Sequence, residues 1–549
     1  MATATTARST LREGSLGTLA GTGKLLRFQA RRTRVYLTGW FAGMIGGTLA
    51  IAAAFPDMYA TPDERAQFAT TVDTPAMRSM TGPAEYIDAY AQSGAAMFAH
   101  QMILWSTLVV AVMYILLITR LTRADEETSR LEVIRSQPVG RRADLAAAML
   151  LASISAVALG LLIGLSTLVM EDADFTGAML YGLLHTAVAV TFAAITAVTA
   201  QIAGYSSTSN ALAFGALAFG VLMSMVGNAQ ENAAVWLSPF GWAQETLAFT
   251  PEQNWVPIVV AAVVSAVLIW LAFALVARRD FGQGLMAARP GPATARAGLR
   301  SIGSLSFRLS RGLLWAGIIT MVLLGAAYGS IVGGADDMFE TLSETQRQIF
   351  EQEGASITEG FVVTISLISA FTATIFGLLV IGRARKEETG GRGELLAAAP
   401  VPRSGWPGSY LPIALVTATV ASVVGTVSLA LTGVGSMGEW SYFDEMLIGG
   451  LVHLPAIWIM VALAFACLGW LPRAGWLRWL PWAYVFIAGY FGPILEFPDA
   501  MLSVSPYEHV PSYPVEDLDW LPLVVLTVIA AAITAIGYMG VRRRNLQFS

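Results

Sequence analysis

A chain of 549 residues that is 55% hydrophobic and only 13% charged, with a mean hydropathy of +0.61, is too apolar for a soluble domain, in which roughly a quarter of residues are charged. The single cysteine, Cys467, excludes an intramolecular disulfide framework and a cysteine-based metal site. The formal charge of -5 carries information only once it is mapped by side of a membrane, and 31 arginines against two lysines point to a GC-rich bacterial coding sequence.

Residues 1–34 start polar and turn basic, with Lys24, Arg27, Arg31, Arg32 and Arg34 ahead of the first long apolar run. Gly17–Leu25 (GTLAGTGKL) superficially matches a phosphate-binding loop. Thr18 stands where that loop needs its first glycine, and Leu25 where it needs the metal-holding Ser or Thr. The only other lysine is Lys386, so this chain is expected to bind no ATP and no other cofactor itself. Leu25, Leu26 and Phe28 among the arginines predict an amphipathic elbow helix lying on the cytoplasmic surface. The apolar run starts late and lacks a small-residue cleavage site, which argues against a cleavable signal peptide.

Twelve apolar stretches follow, near 35–55, 97–119, 143–169, 175–203, 209–227, 256–277, 313–333, 359–382, 410–432, 445–471, 479–497 and 521–541. Each is long enough for the ~20 helical residues that cross a hydrocarbon core. With the N-terminus inside, 30 of the 33 Lys and Arg fall on the cytoplasmic side, leaving Arg65, Arg78 and Arg347 outside. That asymmetry follows the positive-inside rule and predicts N-in, C-in topology. The fold class expected is an all-α, multi-pass protein of a bacterial plasma membrane, with 12 transmembrane helices.

The chain also repeats. Arg123–Arg141 (RADEETSRLEVIRSQPVGR) and Arg385–Arg403 (RKEETGGRGELLAAAPVPR) align without a gap and share seven of nineteen positions. These are Arg123/Arg385, Glu126/Glu388, Arg130/Arg392, Glu132/Glu394, Pro138/Pro400, Val139/Val401 and Arg141/Arg403. In each copy a glutamate precedes an arginine by four residues, the helix-supporting order, and a proline then closes the helix. Further matches are Gly182-Leu183-x-His185 with Gly450-Leu451-x-His453, and Ser238-Pro239-Phe240 with Ser505-Pro506-Tyr507. Arg278-Arg279-Asp280-Phe281 likewise answers Arg543-Arg544-Asn545-Leu546. One six-span unit used twice in the same orientation accounts for all of them. The expected division is 1–34 as the N-terminal segment, 35–281 as the first half, 282–306 as a cytoplasmic linker and 307–549 as the second half.

A solvated connector has no reason to repeat its charges and its proline. The pattern Arg-x-x-Glu-x-x-x-Arg-x-Glu followed by Pro-Val-x-Arg resembles the first cytoplasmic loop of ABC type-2 exporter permeases. The chain is most similar to their fused, double-length form of the tetronasin and multidrug resistance type. The resemblance implies that Glu126, Arg130, Glu132, Pro138, Arg141, Glu388, Arg392, Glu394, Pro400 and Arg403 belong to two coupling helices that dock on an ATPase. It also implies a type V exporter architecture and two copies of a separate ATPase subunit, which would carry the ATP and Mg²⁺. Glu126 and Glu388 are left with two roles, pairing with Arg130 and Arg392 within each helix or facing that partner.

The acidic outer loops 56–96 and 334–358 follow spans one and seven, and Ser343 with Gln346 has the spacing of a capping box. The loops 228–255 and 498–520 carry Trp236, Phe240, Trp242, Tyr507 and Tyr513, which predict interfacial or re-entrant helices. Spans one and seven contain Gly39-x-x-x-Gly43-x-x-x-Gly47 and Gly325-x-x-x-Gly329-x-x-x-Gly333, a spacing for close helix packing. His185 and His453 sit inside spans with no carboxylate or base at mid-depth, so hydrogen bonding to a neighbouring helix is favoured over a proton relay. Four scattered histidines make no metal cluster.

Spans two, five, eight and eleven supply the apolar and aromatic side chains that ligand cavities use. The candidates for the substrate pathway are Gln101, Met102, Trp105, Asn210, Phe214, Phe219, Met223, Phe361, Phe371, Phe376, Tyr484, Phe486 and Tyr490. Without buried charge, the expected cargo is apolar or amphiphilic. The function expected is the permease subunit of an ATP-driven drug exporter working by alternating access, with no catalytic site of its own. Two alternatives stay open: a proton-coupled antiporter using His185 and His453, and a non-transporting receptor or scaffold.

Overall fold

In hydrocarbon an unpaired backbone N–H or C=O costs several kcal/mol, so apolar runs of this length fold as helices. The computed structural model describes residues 17–73, 75–127, 136–280, 282–286, 293–294, 297–299, 301–333, 357–390, 393–394, 402, 404–491 and 497–545. Every regular element among the described residues is helical. The chain divides into two compact units, Met1–Gly291 and Pro292–Ser549.

In the first unit the long helices are α1 (Thr22–Met58), α5 (Gly94–Leu121), α7 (Ala143–Thr167), α8 (Phe175–Ile202), α9 (Ser206–Ala229) and α11 (Val256–Val276). Short helices sit between them: α2 (Pro62–Val72), α3 (Pro75–Thr81), α4 (Glu85–Asp88), α6 (Arg123–Glu127) and α10 (Pro239–Gln244). The elbow is not a separate helix. Lys24 to Arg34 form the first turns of α1, whose 37 residues run unbroken into the span. Leu25 is buried there against Ala143 and Ala147, so packing on the start of α7 holds these turns in line with the rest.

α8 is the central helix of this unit, packed against α5, α7, α9 and α11. Its crossing with α7 depends on glycine: a Cβ at Gly160 would stand 2.4 Å from the Gly182 carbonyl oxygen, and one at Gly182 would stand 2.4 Å from that of Gly160.

The second unit contains α12 (Ile302–Val332), α13 (Ile357–Thr389), α14 (Tyr410–Met437), α15 (Tyr442–Leu451), α16 (Leu454–Trp470), α17 (Leu480–Phe491) and α18 (Trp520–Arg543). The glycine stripe of span seven packs as expected, with a Cβ at Gly325 falling 2.3 Å from the Gly425 carbonyl oxygen on α14. The stripe of span one does not, since a Cβ at Gly39, Gly43 or Gly47 would meet nothing within 4 Å. Span ten runs as expected through Tyr442–Trp470, with a local interruption between α15 and α16 at Val452–His453, where the backbone keeps helical φ/ψ. Pro455 has no N–H to give the Leu451 carbonyl, whereas in α8 Ala187 holds the place two residues after His185 and the helix continues.

Eleven helices among the described residues are long and apolar enough to cross a membrane, six in the first unit and five in the second. The expected span 479–497 is absent from that set. Its helix α17 has 12 described residues, and 492–496 lie outside the described chain.

Candidate coupling site

α5 ends at Thr122, where the backbone leaves helical geometry (φ -119°, ψ -89°), and the chain re-enters a helix at once as α6. Three consecutive carboxylates on α6 then reach three different long helices. Asp125 pairs with Arg32 of α1. Glu126 accepts from Arg279 just beyond α11, Nη1 to Oε2 at 2.9 Å and Nη2 to Oε1. Glu127 accepts from the Ser206 backbone N–H at 2.5 Å and from the Ser206 hydroxyl at 2.6 Å, capping α9 with an anion at the end where the helix dipole favours one.

Arg123 completes the centre. It is 1% exposed and donates from Nη1 to Glu126 Oε2 at 2.6 Å. Its remaining donors go to carbonyls of Gly204, Gly282 and Gln283. Arg279 also donates from Nε to Gln201 Oε1 at 2.6 Å, and its own carbonyl accepts from Arg141 Nη2 at 2.6 Å. Both described ends of the loop between α5 and α7 therefore converge on one arginine just beyond α11.

The far end of that loop is fixed by backbone. Gly140 N–H donates to the Ala20 carbonyl and Arg142 N–H to the Thr18 carbonyl, each at 2.9 Å. A Cβ at Gly140 would lie 2.2 Å from the Thr18 oxygen, so this close approach requires glycine. Pro402 holds the matching place in the second copy.

The second unit repeats the centre with its own residues. Arg385 Nη1 lies 3.1 Å from Glu388 Oε1, and Arg544 donates to both oxygens of Glu388 at 2.8 Å. The glutamate side chains are 6% and 1% exposed, and those of Arg279 and Arg544 are 9% and 7%. Each unit thus holds an Arg–Glu–Arg triad around a buried glutamate, with Arg385 its most exposed member at 17%, that ties the start of the repeated loop to the end of the last long helix. Paired and hydrogen-bonded in this way, the charges avoid the desolvation cost of isolated ions.

Glu126 and Glu388 thus also pair with arginines outside the four-residue spacing. Their described partners are Arg123, Arg279, Arg385 and Arg544. Arg130 and Glu132, like Arg392, Pro400 and Arg403, lie outside the described residues. Pro138 and Glu394 are exposed. The arginines at the ends of spans six and twelve had a sequence signal, because Arg279 and Arg544 occupy the same place in the repeat. Asp125 had one too, in the acidic Glu387, which is buried.

The outer motif also repeats in space. Ser238 Oγ accepts from the N–H groups of Phe240 and Gly241, and Ser505 Oγ accepts from the N–H of Tyr507. Each serine aims the following aromatic inward. Phe240 packs on Phe192 of α8 at 5.3 Å, and Tyr507 on Phe371 of α13 at 4.8 Å, with its hydroxyl 2.7 Å from that of Thr374. Phe240, Trp242 and Tyr507 are thus buried in protein, while Trp236 keeps the expected exposed position. Nearby, Glu245 has its carboxyl raised above the usual range, first by burial and then by Glu85.

His185 lies between helices. Its Nδ1–H donates to the Tyr181 carbonyl at 2.7 Å, which leaves Nε2 to accept from the Ser106 hydroxyl of α5 at 2.8 Å. The His453 Nδ1–H donates to the Gly449 carbonyl at 3.0 Å. His185 thus links two helices, while the described hydrogen bond of His453 stays within its own span.

The family model described as multidrug efflux system permease Rv1217c, C-terminal domain, matches residues 23–276 and 299–542. The chain belongs to this permease family. It is 32% identical to the multidrug efflux system permease protein Rv1217c of Mycobacterium tuberculosis (strain ATCC 25618 / H37Rv), over 96% of this chain and 95% of that protein.

Within this efflux-family permease the candidate pathway residues scatter. Trp105 and Phe219 are 50% and 53% exposed. Asn210 accepts from the Thr119 hydroxyl at 2.5 Å, joining α9 to α5, and Gln101, Met102, Phe214 and Met223 are half-buried along those two helices. In the second unit Phe361 and Phe371 are buried, Phe376 is half-buried, and Phe486 meets Phe371 edge-on at 5.8 Å. The Tyr484 hydroxyl donates to the Met501 carbonyl at 2.5 Å, and the Tyr490 side chain lies outside the described set. A cavity of about 890 Å³ in the first unit is lined by none of them.

Proposed function

We propose that this permease is the membrane subunit of an ATP-driven exporter of hydrophobic or amphiphilic compounds, working with two copies of a separate ATPase. Membership of a multidrug efflux permease family supports the class of cargo. The observation that carries the coupling is the recurrence of one Arg–Glu–Arg triad around a buried glutamate at the root of the repeated loop in each unit. An ATPase that pushes a loop must move long helices, and α6 joins the loop to α1, α9 and the end of α11 through three carboxylates. ATP-driven closure would bias each half between inward- and outward-open arrangements, the alternating-access scheme.

The test is purification in mild detergent from the native membrane, with the ATPase expected at two copies per permease. Export from energy-depleted vesicles driven by an imposed pH gradient alone would overturn the ATP-driven reading in favour of an antiporter.

A further inference from the structure

We propose that the 890 Å³ groove of the first unit is a binding site for one anionic phospholipid, with its phosphate at Arg141 and Arg142 and an acyl chain along α7 and α11. The cavity opens where α7 begins, and its walls change character with depth. Arg141 and Arg142 stand at the charged end, while Met149, Leu150, Ile269 and Phe273 line the remainder. Its volume lies within the ~300–1,000 Å³ of small-molecule sites.

Three features select the occupant. The groove runs out onto surfaces built to meet lipid chains: Ile154 and Val157 continue its α7 wall at 58% and 48% exposed, and Val263 and Trp270 continue its α11 wall at 58% and 69%. A ligand resting there must be largely apolar. The Arg141 guanidinium is held at the headgroup end by donating to the Arg279 carbonyl, and the Arg142 backbone is anchored there by donating to Thr18. Arginine in such a place favours phosphate, to which it can present two parallel donors. Finally, Arg142, which lines the mouth, is the N-cap residue of α7 and makes no side-chain cap, so the start of that helix lies beside the headgroup end. Asp144, in that first turn, is buried and takes no part in the lining.

An apolar chain joined to an anionic head is the chemistry of phosphatidylglycerol or a similar lipid of the adjoining leaflet. The second half need not share the site. The residue matching Arg142 there is Ser404, so the expected stoichiometry is one lipid per chain.

The experiment uses the full-length permease in detergent and needs neither transport nor an ATPase, so its outcome is independent of the efflux mechanism. Native mass spectrometry with titrated phosphatidylglycerol, phosphatidylcholine and sn-glycerol 3-phosphate reads site occupancy directly. Phosphatidylglycerol should bind at one saturable site at least fivefold more tightly than phosphatidylcholine. Arg142→Gln should weaken phosphatidylglycerol about fivefold, the ratio contributed by one arginine at a charged membrane surface, and leave phosphatidylcholine unchanged. Leu150→Trp fills the groove from its exposed side and should reduce binding of both lipids. Equal affinity for the two lipids, or no response to either variant, would overturn the proposal. Full competition by glycerol phosphate would reassign the site to a soluble anion.

Discussion

Arg544 meets Glu388 fork to fork, with Nη1 on Oε1 and Nη2 on Oε2, both at 2.8 Å. The bond closes the second unit at the point where its last long helix ends, and Arg279 makes the matching two-handed contact with Glu126 in the first. Removing the carboxylate leaves two guanidiniums facing each other. Glu388→Ala should therefore destabilise the second unit by about 3–5 kcal/mol, the cost of breaking a buried pair. Arg544→Ala combined with Glu388→Ala should cost less than the sum of the two single changes, because the double variant no longer strands a charge. Unfolding in mixed micelles measures all three, and additive losses would mean that the pair is not coupled.

The two glycine stripes have the same spacing and different surroundings. Gly325→Ala must push α14 away from a carbonyl oxygen 2.3 Å from the new methyl group, and overpacking of this kind typically costs ~1–3 kcal/mol. Gly43→Ala meets open space and gains helix propensity, so it should leave stability unchanged or raise it by up to ~1 kcal/mol. Thermal unfolding of both variants decides the point. A loss at Gly43 as large as that at Gly325 would mean that span one also packs through its stripe.

Glu245 gives a pH dependence of defined sign. Its folded carboxyl binds protons more tightly than the ordinary glutamate at 4.5, through burial first and Glu85 second. As pH rises above 4.5 the unfolded chain loses this proton before the folded one, so stability falls through that window until the raised folded value is passed. Glu245→Gln should remove the fall and raise the melting temperature at neutral pH. Parallel pH profiles for variant and parent would show that Glu245 does not titrate in this way.

Topology can be checked by labelling. With Cys467 removed, a cysteine at Ser79 on α3 or at Gln346 should react with an impermeant maleimide added to intact cells, and one at Ser136 should not. Reaction at Ser136 in sealed cells would invert the assignment and move the triads to the outer face.

The helical class and most of the long helices were legible because apolar length and the distribution of arginine are properties of sequence alone. Pro455 marks the local interruption at His453 within span ten, and Ala187 at the matching place leaves α8 uninterrupted. The elbow was misplaced because amphipathicity says which face is apolar, not that Leu25 would pack on Ala143 and keep α1 straight. The triads were half-read. Matching Glu126 with Glu388 and Arg279 with Arg544 was possible from the repeat, but pairing the first two with the second two needs the closure of spans two and six in space. Spacing along one helix points only to Arg130 and Arg392, which lie outside the described residues, since a local rule sees neighbours four residues away and not those over a hundred residues away. The substrate candidates were chosen by residue type, which cannot separate a packed Phe371 from an exposed Trp105.

The final prediction separates a structural triad from one that transmits motion. Glutamine in place of Glu126 and Glu388 keeps the side-chain volume and one acceptor oxygen, so it should be tolerated better than alanine. It loses the charge that holds Arg279 and Arg544 in their two-handed grip. If the triads only hold the fold, the double glutamine variant should lose melting temperature while ATP turnover stays stimulated by cargo. If they carry the push from a loop to span six or twelve, stimulation should fall by tenfold or more in the folded fraction. The expected outcome is the second, since Arg279 receives both described ends of its loop. A single variant in either unit should lose less, with the other half still engaged. The measurement is ATP hydrolysis by the reconstituted complex with and without cargo, normalised to folded permease and to the co-purified ATPase. Parental stimulation in the double variant at normal subunit ratio would confine the triads to stability and place transmission elsewhere in the loops.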